Sequence, residues 1–439
     1  MTSVLGIPLP PDWQVAPLKH VTTMIDRGLI PSYLDTAKVR VIGQAANQPG
    51  GLDWARTRFH DHHGDACLLR GHLRPGDVLV NSTGTGTIGR VGHFTNSPDD
   101  KPCVADGHVT VVRPKADLLD SRFCFYWLNS QPFSEHLHSA LVVGATNQIE
   151  LNRDRLRDAQ VPLPSLRIQR QIADHLDGEI ARLNLLDSHT EGQVALMREH
   201  LSEFVRASVT GEGERSTVDT GIPWMPRISQ SRQLLKISHH FLTGSGTTPP
   251  SDRLEYYDGK QPWVTSTDVK DQVITATSRH ITERALSDIS TLTVHPVGSL
   301  VVAMYGAGKT KGRVGILDID ASVNQACCVL TPIGRITSEY AYHWFKSHKQ
   351  GVIQLANGAG QPNLSQDLIR SLRIPTPEID VQRLVVRQAR EAESHFSHLS
   401  AALTLRRRLL AERRRSLITT AVIGRIDVGS VQEPAFDGK

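Results

Sequence analysis

The run with the most obvious chemical potential is Ala303-Met304-Tyr305-Gly306-Ala307-Gly308-Lys309-Thr310, which fits the permissive form of a phosphate-cradling glycine loop. That chemistry requires a strand before the loop and a helix opening at the lysine, so that its N-terminal amides meet phosphate. Ser299 to Ala303 reads as the strand, but Gly312 and Gly315 follow, and Val314-Gly315-Ile316-Leu317 reads as another strand. A second copy of the turn, Gly84-Thr85-Gly86-Thr87-Ile88-Gly89-Arg90, has no lysine. Nucleotide hydrolysis is therefore the rival reading rather than the leading one. His60-Asp61-His62-His63 is the densest group of metal-ligand types, but no Cys or His pair follows at ligand spacing, so it reads as a solvated polar loop. There is no Gly-x-Ser-x-Gly elbow and no Asn-Pro-Pro-Tyr-like tetrapeptide of amino-methyltransferases. Five cysteines, odd in number and without Cys-x-x-Cys spacing, read as free thiols in a reducing cytoplasm.

The elements that would carry these turns come in pairs. Val161-Pro162-Leu163-Pro164 with Gln169-Arg170 returns, shifted by 213 positions, as Ile374-Pro375-Thr376-Pro377 with Gln382-Arg383, and Val209-Thr210-Gly211 returns as Val422-Ile423-Gly424. Between these ends Leu183, Thr190, Met197 and Phe204 recur every seven residues and map onto Phe396, Leu403, Leu410 and Leu417. Such a repeat keeps one stripe against a partner helix. Ile172, Leu176, Ile180, Leu186, Val194 and Leu201 widen the stripe in the first copy, as Leu384, Val385 and Leu399 do in the second. A surface helix on a globular core is the other reading. The absence of proline over about 40 residues, a helix of roughly 60 Å, favours a pair, as does complementary charge. Residues 169–208 hold 4 Arg against 7 Asp and Glu, whereas residues 382–421 hold 9 Arg against 3 Glu.

The repeat extends through the rest of the chain. Pro75-Gly76-Asp77-Val78-Leu79-Val80 before the first glycine turn parallels Val297-Gly298-Ser299-Leu300-Val301-Val302 before the second, and Phe123 to Leu128 parallels Tyr340 to Phe345 as an aromatic-faced helix. The boundaries expected are a β-rich domain over 1–160, a helix over 161–211, a linker over 212–222, a second β-rich domain over 223–373, a helix over 374–424 and a tail over 425–439. Val41 to His63 and Tyr256 to Lys270 diverge most. Two modules on one frame with unlike faces suggest two readings of one kind of target, unless the loops merely drifted. At 439 residues the chain suits two or three domains, and it holds no apolar run near the roughly 20 residues that span a bilayer. A net charge of +4 does not by itself announce a nucleic-acid binder.

Two divergent β-rich domains, each followed by a helix introduced by hydrophobic-Pro-x-Pro and Gln-Arg and closed by Val-x-Gly, resemble the specificity subunit of type I restriction-modification systems. The resemblance covers essentially the whole chain. It implies an α+β fold in which two target-recognition domains are separated by two long helices forming an antiparallel coiled coil, with a pseudo-twofold internal repeat. It also implies a cytoplasmic, non-catalytic subunit that binds a bipartite double-stranded DNA site. Its partners would be two methyltransferase subunits and the translocating nuclease subunits. S-adenosylmethionine, ATP and Mg would sit on those partners, with no cofactor and no metal on this chain. A coil of roughly 60 Å could set two domains one to two DNA turns apart, at about 34 Å per turn. For DNA contacts the expectation falls on the turns and variable loops: Arg90, Arg313, Lys309 and Lys311 for phosphate, Asn47, Gln48, Arg56 and Arg58 for base edges, and Thr85 and Thr87 on the first turn. A coiled-coil scaffold that binds protein alone is the structural rival.

Overall fold

The structure is a computed structural model and describes residues 2–48, 51–144, 149–306, 310–356 and 363–426. The chain divides into two compact units, one of residues 1–190 with 404–439, the other of residues 191–403. The first unit thus takes in the end of the chain as well as its beginning. No helix among the described residues is long and apolar enough to cross a membrane.

Each unit is built on the same strand plan. In the first, an antiparallel sheet runs Val91–His93, Val78–Asn81, Val109–Pro114, Thr22–Arg27, and beside it Cys103–Ala105 lies parallel to Val39–Ile42. In the second, the order Val314–Leu317, Leu300–Ala303, Cys327–Pro332, Phe241–Ser245 repeats that antiparallel sheet, and Ser322–Val323 lies parallel to Tyr257–Val264. The central strands are buried on both faces, which is why Val-Leu-Val-Asn and Leu-Val-Val-Ala show no polar alternation. An aromatic helix covers each sheet, Ser121–Leu128 in the first unit and Ser338–Ser347 in the second, burying Trp127 and Trp344 completely. Each indole removes on the order of 200 Å² from water, a leading contribution to its core.

The Pro-x-Pro motifs form strands. Gln160–Leu163 pairs with the lead-in Gln14–Pro17, and Arg373–Thr376 pairs with Gln233–Lys236. After each strand a long helix begins, Leu166–Thr210 and Ile379–Val422. The glutamine of each Gln-Arg motif bolts its helix to the aromatic helix. Gln169 accepts from the Asp120 amide at 2.8 Å and donates to the Leu118 and Pro164 carbonyls. Gln382 does the same with the Thr337 amide at 3.0 Å and the Arg335 and Pro377 carbonyls. Both are fully buried, whereas Arg383 is 71% exposed beside Asp380.

Within each unit the two long helices run antiparallel. Ile172, Ala173 and Leu176 share the first unit's core with Ile418, Ala421 and Val422, and Asp187 pairs with Arg407 at 2.8 Å. Val205 and Val209 share the second unit's core with Val385 and Ala389. The stripe departs from the strict seven-residue expectation. Leu183 and Thr190 are buried, but Phe204 is 45% exposed, and Leu186, Leu384 and Leu399 are exposed too. A helix of 3.6 residues per turn drifts about 20° per heptad, so three heptads on from Leu183 the buried face has moved to Val205. Thr190 is tolerated because its hydroxyl donates to the Leu186 carbonyl. Asp187–Arg407 is the cross-helix expression of the charge complementarity, and this hydrogen bond holds the Asp187 carboxyl below its usual range.

Each Val-x-Gly end packs against residues just ahead of one of the strands paired with the Pro-x-Pro motifs, Gly424 against Pro10 and Gly211 against Ser229 and Arg232. Gly424, at φ +73°, lies so close to Pro10 that a Cβ would stand 2.6 Å from its ring. Beyond the first helix, buried Arg232 donates to the Ser208 and Val209 carbonyls and to Glu214 at 2.8 Å, capping the helix C-terminus. The stretch expected as a linker also carries structure, since Thr217–Asp219 pairs with Arg227–Ser229.

Candidate nucleic-acid interface

In the first unit the strand Val78–Asn81 delivers the chain into the Gly84 turn, which is closed by the Thr87 and Ile88 amides on the Gly84 carbonyl and by Gly89 on the Asn81 carbonyl. Gly84 sits at φ +87°, a conformation that only glycine adopts without strain. The strand Val39–Ile42 leads to Gln44 beneath the turn, where Gln44 Oε1 accepts from Thr83 Oγ1 and Thr87 Oγ1, each at 3.2 Å. Thr83 also meets His108 Nδ1 at 3.0 Å. On the other side Arg90 donates to Gln48 Oε1 at 3.1 Å and to the Gly86 carbonyl at 2.9 Å. The guanidinium thereby ties the turn to the variable loop.

A second polar group lies on the smaller sheet. Arg58 stacks 3.9 Å over the Tyr33 ring, and Tyr33 donates to Asp106 at 3.2 Å. Burial, reinforced by the Asp106 charge, pushes the Tyr33 phenol up to about 12, and burial also raises the Asp106 carboxyl. Arg56 is exposed and pairs with Asp53 at 2.9 Å within its own turn. The histidine cluster holds His60 stacked on His62 and His63 beside Asp61 at 3.4 Å, and no group able to hold a metal is found among the described residues.

In the second unit Tyr257–Val264 leads to Ser266 beneath Gly306, as the first unit's strand leads to Gln44. A Cβ on Gly306 would stand 2.7 Å from Ser266 Oγ and 2.4 Å from Thr310 Oγ1, so this turn is packed onto two buried hydroxyls. Gly312 and Arg313 close it on Ala303, and Val314–Leu317 then continues as a strand. A phosphate-cradling loop would need a helix there.

A model of the type I restriction modification DNA specificity domain matches residues 72–190 and 233–388, together more than half of the chain. The chain belongs to that family. Among its relatives, the specificity subunit of a type I restriction enzyme of Escherichia coli is 23% identical over 297 residues, covering 64% of this chain and 65% of that protein. The chain thus spans a little under two thirds of that relative's length in the match. A solved structure from work on complex assembly and conformational transition of the type I restriction-modification system has a TM-score of 0.74 at 14% identity, covering 95% of this chain and 100% of that one. The HsdS subunit from Thermoanaerobacter tengcongensis has a TM-score of 0.55 at 14% identity, covering 96% and 99%. These structures share the α+β fold described above.

Of the residues expected to meet a target, the structure gathers Gln48, Thr85, Thr87 and Arg90 at one turn and sets Arg58 on the adjacent sheet. Thr85 is exposed, Thr87 half-buried. Asn47 is a correction. It is fully buried, its amide donating to the Leu79 and Arg90 carbonyls and to Asn81 Oδ1, so it braces the platform and presents nothing to a base edge. Arg313 and Lys311 are half-buried beside the second turn, and Lys311 has a partner within the chain. Lys309 lies outside the described residues. Sequence reasoning passed over Gln44, whose surroundings come from residues about 40 positions away.

Proposed function

We propose that this chain is the DNA sequence-specifying subunit of a type I restriction-modification complex, without catalysis of its own, reading an asymmetric, two-part duplex site. Residues 1–160 and 223–373 would each read one half. The observation that carries this reading is one frame built twice with different side chains under the glycine turn: Gln44 with Thr83 and Thr87 in one unit, Ser266 with Thr310 in the other. Thr85, Gln48 and Arg90, with Arg56 and Arg58 nearby in sequence, supply the donors and charge of the first surface, with Thr87 bracing the turn beneath them; Lys309, Lys311 and Arg313 supply those of the second. Backbone contacts from such arginines and lysines position a protein on DNA, and base-edge contacts specify the sequence.

The methyl transfer to adenine belongs, in this reading, to two methyltransferase subunits using S-adenosylmethionine, and translocation and cleavage belong to nuclease subunits using ATP and Mg, all in the cytoplasm. The test is a genome-wide map of adenine methylation in the host with and without this gene. One bipartite motif should lose its methylation when the gene is removed and regain it on complementation. An unchanged map in a host that retains an active methyltransferase partner refutes the reading.

A further inference from the structure

Gln44 lies in a setting that fixes which way its amide faces. Gln44 Oε1 is turned toward the glycine turn, 3.2 Å from each of the Thr83 and Thr87 hydroxyls, the single Thr87 proton being shared with the Thr83 carbonyl at 3.0 Å. Its backbone is held as well, since Asn81 Nδ2 donates to the Gln44 carbonyl at 3.1 Å and Asn81 is in turn gripped by buried Asn47. Gln44 Nε2 makes no hydrogen bond among the described residues, and the side chain is half-exposed. The oxygen therefore faces the two threonines of the turn, and both N–H donors are left for something else. In the second unit the corresponding place holds Ser266, a short and buried hydroxyl.

We propose that Gln44 is a base-reading residue of the first unit and that it reads as a donor only, selecting guanine. This rests on the DNA-specifying reading above. A glutamine free to present both ends of its amide suits adenine, donating to N7 and accepting from the N6 amino group. With its oxygen turned to the threonines, Gln44 has nothing to offer the adenine amino group. Guanine shows two neighbouring acceptors, N7 and O6, and cytosine shows only a donor. Thr83 and Thr87 are positioning residues, holding the amide before DNA arrives so that no side-chain ordering is left for binding.

The test uses the full-length chain assembled with its methyltransferase subunits, selecting from a duplex library randomised over the recognised site and sequencing the bound fraction. The native complex should prefer guanine at one position of one half-site. Gln44→Glu keeps the length and still accepts from both threonines but has no N–H, so the preference at that position should fall about tenfold or more while the other half-site is read as before. Thr87→Val removes one of the two hydroxyls that hold the amide oxygen inward and should admit adenine at the same position; Thr87→Ser keeps the hydroxyl and should keep guanine. If Gln44→Glu fails to fold by circular dichroism, Gln44→Met, equally long and without donors, is read in its place. A folded donor-less variant that retains every base preference overturns the proposal, as does a loss spread evenly over all positions. A native complex with no sequence preference overturns the DNA-specifying reading itself, and that outcome is visible before any variant is made.

Discussion

Replacing Gln382 by alanine should destabilise the second unit far more than any change at its neighbour Arg383. Gln382 makes three hydrogen bonds in a buried site, and its loss leaves the Thr337 amide and the Arg335 and Pro377 carbonyls short of a partner. One buried donor left unpaired costs about 1–3 kcal/mol, and the two carbonyls and the small void add to it, so about 3 kcal/mol in total is expected. For a unit of this size each kcal/mol lowers the melting temperature by roughly 2–4 °C, which gives a drop of about 6–12 °C in calorimetry. Arg383→Ala removes an exposed pair with Asp380 at 3.5 Å and should move the same transition by no more than about 2 °C. Gln169→Ala should reproduce the larger effect in the first unit, where the clamp geometry is the same. A Gln382→Ala transition within 2 °C of the native one, or no larger than that of Arg383→Ala, would refute the view that the glutamine bolts each long helix in place.

Acid should weaken the second unit through His343 and His348, which burial pushes down to about 4 from 6.5. The unfolded chain binds these protons first, so stability is fully present above about pH 6.5 and is lost as the pH falls toward 4, at up to about 3 kcal/mol for each histidine. Urea titrations between pH 7 and 4 should show a shallower loss in His348→Gln than in the native chain; parallel curves would count against this. Lys309→Ala should leave ATP turnover of the assembled complex intact at saturating DNA, because Val314–Leu317 is a strand where nucleotide chemistry needs a helix. A purified chain that hydrolyses ATP alone and loses this on Lys309→Ala would overturn the functional reading. Arg407→Glu sets two carboxylates against each other at Asp187 and should destabilise the first unit, with partial recovery in the Asp187→Arg, Arg407→Glu exchange, measured by the same calorimetry.

The duplication was legible because it is written in residues with few substitutes. Proline and glycine impose backbone conformations, so Pro162, Pro375, Gly84 and Gly306 keep their places while the loops between them change. The helices were legible from their apolar periodicity, but the buried face at Phe204 was not, because a seven-residue rule ignores the drift of an α-helix over three heptads. Gln169 and Gln382 were visible as parts of a motif; their role depends on carbonyls and amides brought close only in the fold. The same limit misplaced Asn47. A polar residue in a variable loop reads as a contact residue, and only the positions of Leu79, Asn81 and Arg90 show that its amide faces inward. Gln44 was missed for the mirror-image reason, since the hydroxyls that orient it lie on the turn, Thr83 and Thr87.

The central claim is that two units built on one frame each read half of one DNA site. The most direct measurement is the adenine methylome of a host in which residues 1–160 of this chain are replaced by the corresponding domain of a family relative. One half of the methylated motif should change to that of the donor while the other half stays as it was. If both halves changed together, or if the motif remained whole in a strain that still methylates, the claim would be contradicted.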